Sequence, residues 1–99
     1  MARLDRAALL ASAASAFGAT PDPEGLSDLV ANRGHISVAA SGAEAGAAVK
    51  RLAKVPGYRW LVINATDLFA VNALTIGTKI GIIDESGRVL KNADLPRAK

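Results

Sequence analysis

Five short stretches hold the residue types that chemistry needs. Ser41-Gly42-Ala43-Glu44-Ala45-Gly46 is a run of small residues at the start of a helical pattern, where backbone amides could cradle an anion. No lysine follows at the phosphate-loop position, and the glycines miss the dinucleotide spacing. Ser41 and Glu44 instead have the spacing of a capping box, and Gly42 with Gly46 would let that helix lie close to a sheet. His35, the only histidine, could act as a general base, but no carboxylate can be placed beside it from spacing. Asp84 and Glu85 are paired carboxylates, yet neighbours in a tight loop point apart, whereas acid/base pairs work across a cleft. Asn64-Ala65-Thr66 matches a glycosylation acceptor, although Asn64 also suits the end of a strand. Tyr58, Arg59 and Trp60 could stack on a nucleobase or anchor a partner; the plainer reading makes Trp60 the main core aromatic. None of these stretches makes a catalytic set, and no cofactor or metal is implied.

The elements that must position these residues follow from periodicity. The strongest pattern is residues 74–83, where Leu74, Ile76, Thr78, Ile80 and Ile82 alternate with Thr75, Gly77, Lys79 and Gly81. A period of two predicts a strand with one buried side. Asp84-Glu85-Ser86-Gly87 suits a hairpin loop, with glycine last, so 74–91 reads as a β-hairpin. Residues 3–17 are rich in alanine and leucine and predict a helix stopped by Gly18, with Leu4, Ala7, Ala8, Ala11 and Ala14 on one narrow face. Asp22 and Pro23 read as cap and first turn of a second helix over 23–32, ended by Gly34. Residues 35–40 predict a short strand and 42–54 a helix with Ala45, Ala48, Val49, Leu52 and Val55 inward. Residues 58–64, apolar on both faces, predict a central strand. Residues 65–67 read as a turn, 68–73 as either a further strand or one helical turn leading into 74–83, with strand preferred, and 91–99 as a polar tail. The sum is an α+β fold: an N-terminal helical pair, one further helix, and a mainly antiparallel sheet ending in the C-terminal hairpin.

Composition bounds the rest. At 99 residues the chain is expected to form one domain, 1–99, with residues 1–19 as a helical arm. Cysteine is absent and histidine single, which excludes disulfides and thiolate or histidine-rich zinc sites. No run reaches the length of a membrane span, so no membrane partner is expected. Arg3 and Arg6 ahead of residues 7–14 have the outline of a secretory leader, but Asp5 interrupts the basic region and alanine dilutes the apolar one. A plain helix is expected there, in a protein found inside cells or within an assembled particle. The net charge of +3 comes from scattered cations with nine carboxylates among them, unlike the dense basic stripe that marks nucleic-acid binding.

Twenty-one of the residues are alanine, so fewer bulky side chains remain for a core than the 51% apolar content implies. With no reactive cluster, the expected role is a non-enzymatic structural or interaction subunit. It would pack against copies of itself or into a larger assembly, such as a shell, virion or decoration-type particle. Leu4, Ala8 and Ala11 on the arm and Thr75, Gly77, Lys79 and Ile83 on the lightly guarded hairpin are the expected contacts. The alternative is a small binding domain for nucleic acid or an acidic protein, using Tyr58, Arg59, Trp60, Lys79, Arg88 and Lys91.

Overall fold

The computed structural model describes residues 4–94, so the ends of the chain, including the 95–99 part of the expected tail, lie outside the described residues. Strand β4 (Arg59–Ile63) is buried along its whole length. On either side of it run β3 (Gly34–Ala39) and β5 (Gly81–Ile83), both parallel to it. The sheet continues outward antiparallel: β2 (Leu29–Ala31) and the two-residue β1 (Thr20–Pro21) beyond β3, and β6 (Val89–Lys91) beyond β5. The spatial order is the chain order, β1 to β6. Parallel neighbours need crossovers, and α2 (Gly42–Leu52) and α3 (Leu68–Thr75) provide them, the latter entered through a 3-10 turn at Ala65–Asp67.

Apolar residues on both faces of β4 require cover on both sides. Leu61 and Ile63 face α2 and α3, in a core with Ala45, Val49, Leu52, Val71, Ile80 and Ile82. Trp60 and Val62 face α1 (Arg6–Phe17), in a second core with Leu9, Ala13, Ile36, Val38 and Ile83. The fold is α+β as expected, but its sheet is mixed rather than mainly antiparallel, and its three helices are spread along the chain rather than beginning as a pair. Two closed cores also correct the expectation of too little bulk: the aliphatic residues lie on strands that are covered twice. No helix among the described residues is long and apolar enough to cross a membrane.

Three stretches differ from their sequence reading. The expected second helix, 23–32, is a turn followed by β2. Asp22 does cap, accepting from the Glu24 and Ser27 amides at 2.9 and 3.0 Å, but Gly25 takes a left-handed φ of 69° and turns the chain away from a helix. Residues 68–73, read as strand, begin α3. Residues 74–83, read as one strand, are the end of that helix, an irregular connection and then β5. There Thr75 is buried while Leu74 and Ile76 are exposed, the inverse of the alternation, and Gly77 and Lys79 both have positive φ. The expected arm is a covering layer: Asp5 caps it, Gly18 ends it at φ 60°, and it buries Leu9 and Ala13 rather than the Ala7/Ala11 face.

The hairpin loop matches its reading. The Asp84 carboxylate accepts from the Ser86 hydroxyl at 2.7 Å and from the Ser86 and Arg88 amides at 2.9 and 3.0 Å, and Gly87 takes φ 89°. Burial pushes the Asp84 pKa up, but these donors and the Arg88 charge outweigh it and leave the pKa below its ordinary 3.8. A depressed carboxylate stabilises the fold above its unfolded pKa and loses that contribution as pH falls through the folded value. The same holds for Asp22, whose pKa is lowered chiefly by the Glu24 amide. Melting temperature should therefore be level at neutral pH and fall below about pH 4. Asp84→Asn should lower stability at pH 7 by about 1 kcal/mol and flatten the acid limb of that profile. An unchanged acid limb would show that the loop carboxylate does not drive the transition.

Candidate functional site

His35 is the second residue of β3 and does have a carboxylate beside it, together with a serine. Its Nδ1 lies 3.2 Å from Asp22 Oδ2 and 3.0 Å from Ser27 Oγ, and Ser27 Oγ lies 3.1 Å from the same carboxylate oxygen. These are the residue types of a nucleophilic triad, but a relay needs the imidazole between its partners, one on each nitrogen. Here both partners crowd Nδ1. Ser27 is buried, and its hydroxyl lies 2.8 Å from the Leu29 carbonyl. The cluster joins the β1–β2 connection to β3, and its hydroxyl is out of reach of a substrate. Sequence spacing could not reveal it, because the Asp22 turn that forms it was read as helix.

A second cluster clasps three elements. Asp28 Oδ1 is 2.8 Å from Arg6 Nη2 and 3.1 Å from Arg51 Nη1, while Oδ2 accepts from the Val38 amide at 3.0 Å. Arg6 also donates to the Val38 carbonyl and Arg51 to that of Gly25. The shallow cavity beside them, lined by Ser37, Glu44, Ala47 and Ala48, has its cations already committed to Asp28. An incoming anion would have to displace that carboxylate.

The carboxyl ends of parallel strands are where α/β proteins bind ligands, at a point where successive crossovers leave on opposite faces. Here α2 and α3 cover the same face and pack on each other, so β3, β4 and β5 enclose no such crevice. The residues at this edge are engaged. Ser41 Oγ accepts from the Glu44 amide at 3.2 Å, and the Glu44 carboxylate folds back to the Ala40 amide at 3.1 Å, which sets a negative charge where an anion would sit. Asn64 is buried and pairs both side-chain amide atoms with the Leu4 backbone at 2.8 and 2.9 Å, so its nitrogen is inaccessible to glycosylation. Glu85 accepts from the Ala65 amide at 2.8 Å, away from Asp84.

The expected nucleic-acid residues do not gather. Arg59 is buried, donating to the Leu52 carbonyl at 3.3 Å and to that of Thr78, and burial holds its pKa below the usual arginine value. Trp60 is buried, with its indole N–H on the Arg33 carbonyl at 2.9 Å. Tyr58 and Lys79 are exposed; Arg88 sits in the β5–β6 loop, at the other end of β5 from Lys79. Lys91 donates to the Thr75 hydroxyl and carbonyl at the end of α3. The expected contact residues divide similarly. Ala11, Gly77 and Lys79 are exposed, Leu4 and Ala8 half-buried, and Thr75 and Ile83 fully buried and closed to any partner in this fold.

What sequence reasoning missed is the outer face of α3. Val71 and Thr75 point into the core, so positions on the opposite side of an 8-residue helix face water. Those positions hold Phe69, Ala73 and, just past the helix, Ile76. Phe69 is 96% exposed and Ile76 70%, with Leu74 beside them at 41%. An aromatic side chain almost wholly in water is the opposite of what burial drives. From 68 to 78 the sequence has no charged residue, a signal visible in the sequence once the stretch is read as helical. No family model, curated protein or solved structure was found that matches this chain.

Proposed function

We propose that the chain is a non-enzymatic interaction subunit that docks through the outer face of α3 onto an apolar, uncharged protein surface. The observation that carries this reading is Phe69, held out at 96% exposure on α3, with the apolar Ala70, Ala73, Leu74 and, just past the helix, Ile76 exposed around it and Asn72 the one exposed polar side chain of the helix. Contiguous apolar patches of this kind mark interaction sites more often than scattered surface leucines do. The chemistry of the partner follows from the missing charge: a charged side chain pressed against residues 68–78 would lose its water and find no countercharge. The fold closes both of its cores without this face, so docking is separable from folding. The groups that could do acid/base work, His35 with Asp22 and the edge carboxylates Glu44, Asp84 and Glu85, are bonded to the chain's own backbone and side chains. A homo-oligomer or a larger protein assembly is the setting in which such a subunit would work.

The test is photo-crosslinking with benzoylphenylalanine in place of Phe69, in cells that make the chain, against the same group at the exposed Lys54. Adducts to protein are expected at position 69 and not at 54. Equal yields at the two positions would remove the reading.

A further inference from the structure

We infer that the β2–β3 turn carries a binding site for a small monocarboxylate, held by the guanidinium of Arg33. The site lies on the α1 side of the sheet and goes beyond the docking reading, which concerns α3 on the other side. Asn32 and Arg33 form the tight turn between the paired residues Ala31 and Gly34. Two contacts fix Arg33 there. Its carbonyl accepts the Trp60 indole N–H at 2.9 Å, and its guanidinium carbon lies 4.6 Å from the centre of the Phe17 ring and 5.3 Å from that of Trp60. Cation–π contact places the group without giving it a hydrogen-bond acceptor. Among the described residues, none of its N–H groups has an oxygen to donate to. In this Arg33 differs from Arg6 and Arg51, which are committed to Asp28, and from Arg59, which is committed to two carbonyls. A positioned fork of donors with no acceptor is what a carboxylate takes bidentately.

The surroundings define the ligand. Arg33 follows Asn32 and covers Phe17, and both of these line an open hollow of about 360 Å³ with Gly18, Thr20, Val30 and Ala31. That volume is in the range of pockets for small molecules. Phe17, Val30 and Ala31 form an apolar wall, which suits an aromatic or short aliphatic body behind the carboxylate. No charged residue lines the hollow, so Arg33 meets one negative charge there. A monocarboxylate is matched by a single guanidinium, whereas a phosphate monoester brings about −1.5 to −2 and would be left partly unpaired. The chain's net charge of +3 favours the approach of an anion.

Phenylacetate is the probe, followed at constant ionic strength by the backbone amide and arginine Nε–H resonances of the full chain. It should saturate with a Kd on the order of 1 mM, and the signals of Phe17, Asn32 and the Arg33 side chain should move most. Phenylacetamide has the same body without the charge and should bind at least about tenfold more weakly, as should inorganic phosphate. Arg33→Lys keeps the charge but loses the fork, and should weaken phenylacetate at least about tenfold. The comparison of phenylacetate with phenylacetamide needs no variant, so it stands even if Arg33→Lys melts early. Equal binding of the two probes, or shifts spread evenly over the exposed Lys50, Lys54 and Arg88 without saturation, would mean that Arg33 only covers its rings, and overturns the site. Phosphate binding as tightly as phenylacetate overturns the assignment to a carboxylate. Crosslinking at position 69 is independent of every one of these results, so the two readings fail separately.

Discussion

Alanine at Gly34 should cost at least about 3 kcal/mol and leave little folded protein at physiological temperature. Gly34 has φ 124°, a region that side chains rarely enter, and a Cβ there would sit 2.3 Å from the Tyr58 carbonyl oxygen. That oxygen accepts the His35 amide at 3.0 Å, so the clash falls on the bond that opens the parallel β3–β4 pairing. Gly81→Ala should also be severe, for a different reason. Its φ is ordinary, but a Cβ would lie 2.5 Å from the Trp60 ring and 2.7 Å from the Ala93 nitrogen. Here relief is available: Trp60→Leu combined with Gly81→Ala should recover part of the loss, whereas nothing of that kind rescues Gly34→Ala. Urea midpoints of the two single variants and the double variant check this. Gly34→Ala within about 1 kcal/mol of the unsubstituted chain would mean that the β2–β3 connection bends away at little cost.

The second large effect is expected at Arg59. Its guanidinium is buried and bridges the carbonyl of Leu52, at the end of α2, to that of Thr78, in the connection before β5, while its Nε has no hydrogen-bond partner among the described residues. A cation at a helix carboxyl end is favourable, but taking it out of water is costly. Arg59→Ala should lose about 3 kcal/mol, from the cavity and from the Thr78 carbonyl left without its donor. Arg59→Met keeps most of the volume without bringing a charge inside and should lose about half as much. Chemical denaturation of both variants separates the terms. If Met proves as damaging as Ala, the bridge itself and not the filled space holds this end of the sheet.

How much of this was legible in the sequence depends on how local each signal is. The α2 cap at Ser41, the Gly18 stop, the double-faced strand at 59–63 and the Asp84 loop were readable because each is settled within a few residues. The Asp22 turn was misread because a carboxylate accepting the next amides looks the same at a helix start as in a loop, and only the left-handed Gly25 separates them. Residues 74–83 satisfied a period-two template by coincidence. What overrides that pattern is tertiary: β4 and β5 are parallel neighbours, and a parallel step needs a crossover that the chain can build only from 68–75. That misreading also hid the candidate site. As a strand, the stretch made Thr75 and Ile83 surface residues and left Phe69 unremarked; as a helix, it buries the first two and exposes the third.

Trp60, the only tryptophan, lies in the core between the sheet and α1, on the side of the sheet away from α3. Its emission should therefore be blue-shifted in the folded chain and move to the red when the chain unfolds. Because the indole lies on the other side of the sheet from Phe69, a tryptophan-free partner docking on α3 should leave that emission unaltered. One intrinsic fluorophore thus reads unfolding while staying silent to docking, so an unfolding midpoint can be measured by the same signal whether or not α3 is occupied.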